Sequence, residues 1–304
     1  MADRDGHPVG DGVMVADTMM LPDHKTGRVR SGDVEIFYRR FGQPGTTPIV
    51  IVHGLSYFSY DWIRVAADLA RDREVVAIDM RGFGQSGWST AHDYALRTLA
   101  ADVIAVLDGL GWEQAILVGH SMGGRVCLLT ADWYPERVAA LVCLDFAPDL
   151  APEGRKHVAN SIGRQPDIFT TVDEALAYHG YDPALPADAP MRLRFEAFLK
   201  PVAGGWQLRR DLHYRDKFRA VLETGRREPE KADPWAALKA LELPVLVVRG
   251  ARSNLFAAET MDKVRAANSR ARVIEIQGGH NLADDNPDGV VAAVDGFLRE
   301  NVAG

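Results

Sequence analysis

The sequence is short of the residues that mark several large classes of protein. Only two of its 304 residues are cysteines, Cys127 and Cys143, and both lie in apolar segments. Buried free thiols are therefore expected, with neither a disulfide framework nor a zinc site. The chain has no basic run and carries a formal net charge of −7. This charge balance argues against nucleic acid as a partner, and we expect no metal.

Long apolar runs are also missing. No run approaches the roughly 18 residues of a membrane-spanning helix, so we expect no membrane partner. The first residues have neither the basic start nor the apolar core of a secretory signal, which makes a cytoplasmic protein the expectation. With 47% hydrophobic and 25% charged residues, the chain has an ordinary globular balance. Its length suits one large α/β domain with an insertion, or two domains.

Short apolar runs alternate with amphipathic segments along most of the chain. An alternating stretch at 28–41, with Gly32 and Asp33 at its middle, predicts an antiparallel hairpin. Continuous apolar runs, typical of strands buried on both faces of a parallel sheet, follow at 48–52, 74–80, 114–118, 139–144, 244–248 and 272–276. Helical spacing occurs at 60–70, 96–110, 125–134, 259–267 and 287–301. This alternation predicts a mostly parallel sheet covered by helices on both faces.

Two segments depart from the alternation. Residues 1–26 are rich in Asp, Gly and Pro and are expected to form an N-terminal extension, either disordered or packed on the surface or on a second subunit of a homodimer. Between 148 and 233 the buried strands stop, and helix-like pieces occur at 172–179, 191–199 and 212–222. We therefore divide the chain into an extension (1–26), a core (27–147 and 234–304) and an insertion (148–233).

The most informative motif is Gly-His-Ser-Met-Gly-Gly at 119–124. It has the pattern Gly-x-Ser-x-Gly and lies between a predicted strand and a predicted helix, the context in which a sharp turn holds a serine exposed at the top of a sheet. Glycine at 119 and 123 allows the tight turn and close helix packing. The alternative is a glycine-rich turn in which the serine has no chemical role. The predicted strand before the motif and the predicted helix after it favour Ser121 as a nucleophile.

A second glycine-rich segment, at 81–87, follows the predicted strand at 74–80. It matches the dinucleotide-binding pattern Gly-x-Gly-x-x-Gly only loosely. Neither an acidic residue nor a helix follows it at the right distance. We therefore predict no nucleotide and no other cofactor, and expect a small molecule as substrate.

A serine nucleophile needs a base within hydrogen-bond reach, and the base needs an orienting acid. In open parallel sheets such groups gather at the carboxyl ends of the strands. His280 follows the last predicted strand and is the expected base. Asp145 ends the strand at 139–144 and is the expected acid. It is favoured largely by elimination, since the loop after 244–248 has no carboxylate before Glu259, the reserve candidate.

The developing negative charge of the attacked carbonyl needs an oxyanion hole. The backbone N–H groups of Leu55 and Met122 are its expected donors, because they follow a strand end and the serine. His120, like His53, follows a predicted strand and is expected to flank the site. Aromatic residues of the insertion are candidates for substrate contact, although each would equally suit a core position. The main candidate substrate-contact residues are His53, Trp206 and Tyr214. Phe195 and Phe198 are further aromatic candidates, and a substrate could also touch three histidines of the insertion: His157, His179 and His213.

In combination these motifs resemble the α/β-hydrolase fold superfamily. Its landmarks occur in order as His-Gly-Leu at 53–55, Asp-Met-Arg-Gly-Phe-Gly-Gln-Ser-Gly at 79–87, the serine motif at 119–124 and Gly-Gly-His at 278–280. The similarity extends from about residue 28 to the C-terminus. It implies an eight-stranded sheet in which only the second strand is antiparallel. It also implies that residues 148–233 form a mostly helical cap.

The position of the acid sets this chain apart from most of the superfamily. Most members carry it after the seventh strand, where this chain has Ser253 and Asn254, and a minority carry it after the sixth strand, where Asp145 stands. That minority includes lactone-cleaving enzymes similar to zearalenone hydrolases, some amide hydrolases and cofactor-free ring-opening dioxygenases. We expect a serine hydrolase that cleaves an ester or lactone of a small apolar or aromatic molecule through an acyl-enzyme. The alternatives are a carbon–carbon bond hydrolase, a cofactor-free oxygenase using His280 and Asp145, or a non-catalytic ligand sensor.

Overall fold

The computed structural model describes residues 21–226 and 232–302. Most of the extension predicted for residues 1–26 lies outside the described residues, and the first strand begins two residues before the predicted boundary. The described residues form ten strands: β1 (Lys25–Ser31), β2 (Val34–Phe41), β3 (Thr46–Val52), β4 (Arg73–Ile78), β5 (Ala115–His120), β6 (Val138–Leu144), β7 (Leu199–Val202), β8 (Gly205–Leu208), β9 (Val245–Gly250) and β10 (Ala271–Ile276).

The same residues form eleven α-helices: α1 (Ile63–Leu69), α2 (Leu96–Leu110), α3 (Met122–Trp133), α4 (Pro152–Gly163), α5 (Val172–Tyr178), α6 (Ala189–Phe198), α7 (Leu212–Thr224), α8 (Pro234–Ala240), α9 (Thr260–Ala267), α10 (Leu282–Asp285) and α11 (Pro287–Asn301). None of them is long and apolar enough to cross a membrane.

Eight strands form one sheet in the order β1-β2-β4-β3-β5-β6-β9-β10. β2 alone runs opposite to the other seven strands, so the predicted eight-stranded, mostly parallel sheet is confirmed. The two faces of the sheet have separate apolar cores, one with α2, α3, α8 and α9 and the other with α1 and α11. In β3, Val50 and Val52 face the first core while Ile49 and Ile51 face the second. Burial on both faces explains why these strands appear as unbroken apolar runs.

The insertion between β6 and α8 contains α4 to α7 together with a hairpin of β7 and β8. Helices occur at the three predicted segments, but α4 and the hairpin were not predicted. The hairpin strands have four residues each, and Phe169, from a separate loop, bonds to Trp206 of β8 through the backbone. Strands of four residues are too short to leave a clear alternating pattern in a sequence, and the bridge to Phe169 comes from a distant segment. A small apolar core, which includes Phe195 and Phe198, holds the insertion together.

The glycine-rich loop at 81–87 joins the insertion to the core. The backbone N–H of Gly84 donates to Arg209 O at 2.7 Å, and that of Asp211 donates to Gly82 O at 2.7 Å. Gly84 has φ +53°, and a Cβ on it would lie 2.1 Å from an oxygen of Asp79. Glycine is therefore required at this position by the turn and by the close contact with Asp79. The backbone of the loop forms hydrogen bonds with the backbone of the insertion.

A buried ion pair anchors the same loop to α2. Arg81 donates to both carboxylate oxygens of Asp102 at 2.6 Å each, and both side chains are about 2% exposed. Arg81 also contacts the partly exposed Asp33 at 3.2 Å and donates to the backbone oxygen of Asp93 at 3.2 Å. A buried charge that loses its partner keeps the cost of leaving water, so this pair is expected to be sensitive to the removal of one side.

We predict that Asp102→Asn lowers the free energy of unfolding by about 3–5 kcal/mol, because Arg81 would stay buried with only a partly exposed partner. Urea denaturation of the purified protein measures this. Glu300→Gln, which breaks the exposed pair with Arg272, is the control and should cost less than about 1 kcal/mol. Equal losses of unfolding free energy in the two variants would show that the buried pair contributes no more to stability than the exposed pair.

Candidate active site

Ser121 occupies a strained turn between β5 and α3. Its backbone has φ 53° and ψ −116°, a left-handed conformation that is uncommon outside glycine. The turn is possible because the residues two positions before and after Ser121 are glycines: a Cβ on Gly123 would lie 2.1 Å from Val52 O, and one on Gly119 would lie 2.5 Å from Gly123 O. Strain of this kind concentrates at functional sites. In this turn, Ser121 lines a cavity.

The structure brings Ser121, His280 and Asp145 together in one hydrogen-bonded series. His280 Nε2 lies 3.0 Å from Ser121 Oγ, and His280 Nδ1 lies 2.6 Å from Asp145 Oδ2. The carboxylate is 1% exposed and the imidazole is partly exposed. The arrangement can move a proton from the serine to the imidazole while the buried carboxylate holds the ring in place.

Asp145 is held by the loop that follows β9. The backbone N–H of Gly250 donates to Asp145 Oδ1 at 2.9 Å, and the hydroxyl of Ser253 donates to Oδ2 at 2.5 Å. Ser253 Oγ in turn accepts the backbone N–H groups of Leu255 and Phe256 at 3.2 and 3.1 Å. In the sequence, Ser253 is notable only because the loop after 244–248 has no acidic residue at this position. Its hydroxyl instead binds the acid that comes from the neighbouring strand.

Glu259, the reserve candidate for the acid, does not contact the base. Glu259 is exposed at the N-terminal end of α9 and has no hydrogen bond to His280. Asp145 already occupies the Nδ1 side of that imidazole.

The two expected oxyanion donors border the same cavity as Ser121. Met122 is the first residue of α3, where backbone N–H groups have no partner within the helix. Leu55 follows β3 and Gly54, and its carbonyl oxygen is 3.5 Å from a guanidinium nitrogen of Arg210. The placement suits a pair of N–H donors facing the oxygen of a carbonyl attacked by the serine.

Two of the three main candidate substrate-contact residues, His53 and Trp206, do not line the cavity. His53 is fully buried: its Nδ1–H donates to Gly54 O at 2.7 Å, and its Nε2 accepts the Met80 N–H at 2.9 Å. Burial lowers the pKa of His53 to about 4, so the ring is a neutral backbone clamp. Trp206 packs on the core of the insertion and does not line the cavity. His53 was placed from its position after a strand and Trp206 from its aromatic side chain in the insertion, and neither signal reveals burial.

Tyr214 and His120 lie closer to their predicted places. Tyr214 is 7% exposed, lines the cavity and packs its ring on that of Phe83. His120 is buried beside the serine, and its Nε2–H donates to the backbone carbonyl of His280 at 2.8 Å. Burial, with a smaller contribution from His280, lowers the pKa of His120 well below its usual value. A neutral His120 therefore holds the loop that carries the expected base.

The cavity has a volume of about 720 Å³ and lies between the sheet and the insertion. Much of its wall is apolar, and six side chains represent that part: Leu96, Leu99, Phe146, Val158, Ile162 and Phe218. Arg155 and Arg252 line it at exposed positions, and Asp285, which lies 3.9 Å from Arg252, adds a negative charge. A cavity of this size and lining suits a small organic molecule with apolar parts.

The fold and the serine turn agree with comparisons to known proteins. A family model described as the alpha/beta hydrolase fold matches residues 47–287, and the chain therefore belongs to that family. The resemblance noted in the sequence is thus confirmed, and the chain is a hydrolase of this family.

Individual relatives span several reactions. The chain is 30% identical to 3-hydroxybutyrate-oligomer hydrolase of Cupriavidus necator over 79% of this chain and 84% of that protein. It is 29% identical to 2-hydroxymuconate semialdehyde hydrolase of a Pseudomonas species over 83% of this chain and 87% of the relative. The crystal structure of E-2-(acetamidomethylene)succinate hydrolase superposes with a TM-score of 0.77 at 26% identity, covering 91% of this chain and all (100%) of that one.

We predict that Ser253→Ala lowers kcat by about 10-fold, because it removes a hydrogen bond to the charged acid that orients His280. Steady-state kinetics on an activated ester, with circular dichroism as a check on folding, measure the effect. Ser253→Thr keeps the hydroxyl and should retain most activity, and Ser269→Ala, at an exposed position, is a second control. Wild-type kinetics in Ser253→Ala would mean that the hydroxyl does not position Asp145.

Proposed function

We propose that this hydrolase cleaves a carboxylic ester, either open-chain or a lactone, through an acyl-enzyme on Ser121. The observation that supports the proposal is the hydrogen-bonded series from Ser121 through His280 to Asp145, with the serine exposed to the cavity. A strained serine next to a base and a buried acid is the arrangement that activates a hydroxyl.

In the proposed reaction Ser121 Oγ attacks the carbonyl carbon while His280 Nε2 takes its proton. The carbonyl oxygen becomes negative and is bound by the N–H groups of Leu55 and Met122. When the tetrahedral intermediate collapses, His280 returns the proton to the leaving alcohol oxygen and the acyl group stays on Ser121. Water then repeats the attack with His280 as base, releasing a carboxylic acid and free serine. Asp145 accepts the Nδ1–H throughout.

The insertion supplies the cover of this site in our proposal. Residues 148–233 act as a cap whose α4 and α7 contribute side chains to the cavity wall. The apolar part of that wall favours a substrate with an aliphatic or aromatic portion. The steps above need only water and the chain's own residues, so we propose no cofactor.

Carbon–carbon bond hydrolysis is the second candidate. It is favoured by the resemblance to 2-hydroxymuconate semialdehyde hydrolase, and the exposed Arg155 in the cavity would suit an acidic substrate. Turnover of a 2-hydroxy-6-oxo dienoate with no turnover of matched esters would favour this candidate over ester cleavage.

We predict that a small alkyl fluorophosphonate forms one covalent adduct with the wild-type protein, because its phosphorus is attacked by an activated serine. Ser121→Ala should form none, and Asp145→Asn should label about 10³- to 10⁴-fold more slowly. Intact-mass spectrometry over time measures both effects.

Ser269→Ala is the matched control and should label as the wild type does. An adduct that persists in Ser121→Ala would place the reactive group elsewhere. A folded wild type that forms no adduct would argue against serine hydrolysis. Substantial turnover by Ser121→Ala would point to a cofactor-free oxygenase that uses His280 and Asp145, and tight ligand binding without turnover would point to a sensor.

A further inference from the structure

A small polar chamber of about 110 Å³ adjoins the cavity that holds Ser121. The two spaces share five lining residues: Ser56, Tyr57, His179, Tyr181 and Asn281. Three charged side chains line the chamber only: Arg194, Arg210 and Asp284. The chamber is therefore a charged extension of the cavity.

Arg194 has its charge balanced inside the protein. It donates to the two carboxylate oxygens of Asp61 at 2.6 and 3.0 Å and to the backbone oxygen of Ser56 at 2.9 Å. Its side chain is 10% exposed and that of Asp61 is 1% exposed. This pair fixes α6 to the loop after β3, and it leaves little of the Arg194 charge for another partner.

Arg210 is different. Its residue is 4% exposed, its guanidinium donates to Gln165 Oε1 and, at 3.5 Å, to Leu55 O, and no described carboxylate lies within ion-pair distance. Burial lowers the pKa of the guanidinium to about 10. The backbone on either side is bonded to the glycine-rich loop at 81–87, so the side chain is held at this place. A buried charge with no opposite charge is costly and calls for an explanation.

The other buried arginines show how unusual this is. Five arginines are buried in the described part of the chain: Arg81, Arg194, Arg210, Arg215 and Arg249. Four of these have a carboxylate partner, in the pairs Arg81–Asp102, Arg194–Asp61, Arg215–Asp167 and Arg249–Glu275. Arg210 is the exception, and it lines the chamber together with the paired Arg194.

Of the two other titratable groups that bear on an incoming anion, His179 suits it and Asp284 opposes it. His179 Nε2 is buried without a hydrogen-bond partner, and burial, followed by the nearby arginines, lowers the pKa of His179 to about 4. The ring is therefore neutral at pH 7, and one nitrogen can donate a hydrogen bond. Asp284 would oppose an anion. Its charge interactions are with Asp61 and Arg194, whereas the charge interaction of Arg210 is with Tyr178. Burial and then Asp61 raise the pKa of Asp284 to about 6, which weakens its opposition as the pH falls.

On the basis of the proposed function, we propose that this chamber binds a carboxylate group of the substrate, with Arg210 as the residue that determines this specificity. A guanidinium matches a carboxylate with two parallel hydrogen bonds. The chamber has room for a carboxylate and a short stretch of attached carbon. The natural substrate is thus an ester or lactone that bears a second, acidic group at some distance from the scissile bond.

The experiment compares esters that differ only in charge. The acyl-side pair is mono-4-nitrophenyl adipate and the 4-nitrophenyl ester of adipamic acid. The alcohol-side pair is the hexanoate ester of 4-hydroxybenzoate and that of 4-hydroxybenzamide. Each kcat/KM is divided by the rate of alkaline hydrolysis of the same ester. The wild type should prefer the carboxylate in one pair by about 10-fold or more, which also tells which side of the bond enters the chamber.

Arg210→Met should reduce that preference by about 10- to 100-fold, the size expected when a charge-assisted hydrogen bond is lost. Arg210→Lys should restore part of it. The matched control is Arg215→Met, which removes another buried arginine of the insertion, one that already has a carboxylate partner, and should leave the preference unchanged. The preference should also persist in 1 M salt, where a Debye length of about 3 Å screens the exposed Arg155 and Arg252.

Three results would overturn the assignment: no carboxylate preference of the wild type in either pair, a preference that Arg210→Met retains, or one that high salt abolishes. The first and third need no variant, so poor folding of Arg210→Met would not protect the proposal. If the wild type hydrolyses no ester and forms no fluorophosphonate adduct, the proposed function fails instead. The chamber is then tested by calorimetry, where adipate should bind the wild type more tightly than adipamide does and Arg210→Met should remove the difference.

Discussion

The geometry of the site depends on the buried carboxylate of Asp145. It lies at the end of β6, and its backbone N–H and both of its oxygens are bonded by the chain at and after the neighbouring β9. A buried carboxylate that accepts several hydrogen bonds keeps one orientation, and this orientation fixes the imidazole 2.6 Å away. The acid thus comes from one strand and its support from the next. Ser253, at the position where most of the family carries the acid, provides part of that support.

Much of the core could be predicted from the sequence because its signals are local. An apolar run of five or six residues, a glycine on each side of Ser121 and a helical period after it all lie within one short segment. The carboxyl ends of parallel strands meet at one edge of a sheet, so Ser121, Asp145 and His280 could be grouped from the order of the predicted strands. That grouping needed topology alone, and the three side chains do lie within hydrogen-bond distance of one another in series.

The features that could not be predicted depend on partners far away in the chain. His53 has the strand-end position of a site residue, yet both of its ring nitrogens are taken up by backbone groups. Trp206 has the composition of a pocket wall, yet it pairs with Phe169 in the core of the insertion. The unbalanced charge of Arg210 is likewise invisible in the sequence, since it follows from which carboxylates are absent around it in the described structure.

Arg210 also connects recognition to catalysis. Its guanidinium contacts the carbonyl of Leu55, and Arg194 contacts that of Ser56, so two arginines of the insertion hold the loop that supplies an expected oxyanion donor. In our proposal a carboxylate in the chamber supplies the opposite charge that Arg210 lacks. This fixes the guanidinium in place and strengthens its hydrogen bond to the Leu55 carbonyl. Binding energy from a remote part of the substrate would then help to orient the Leu55 N–H. This is the way in which distant contacts raise kcat as well as affinity.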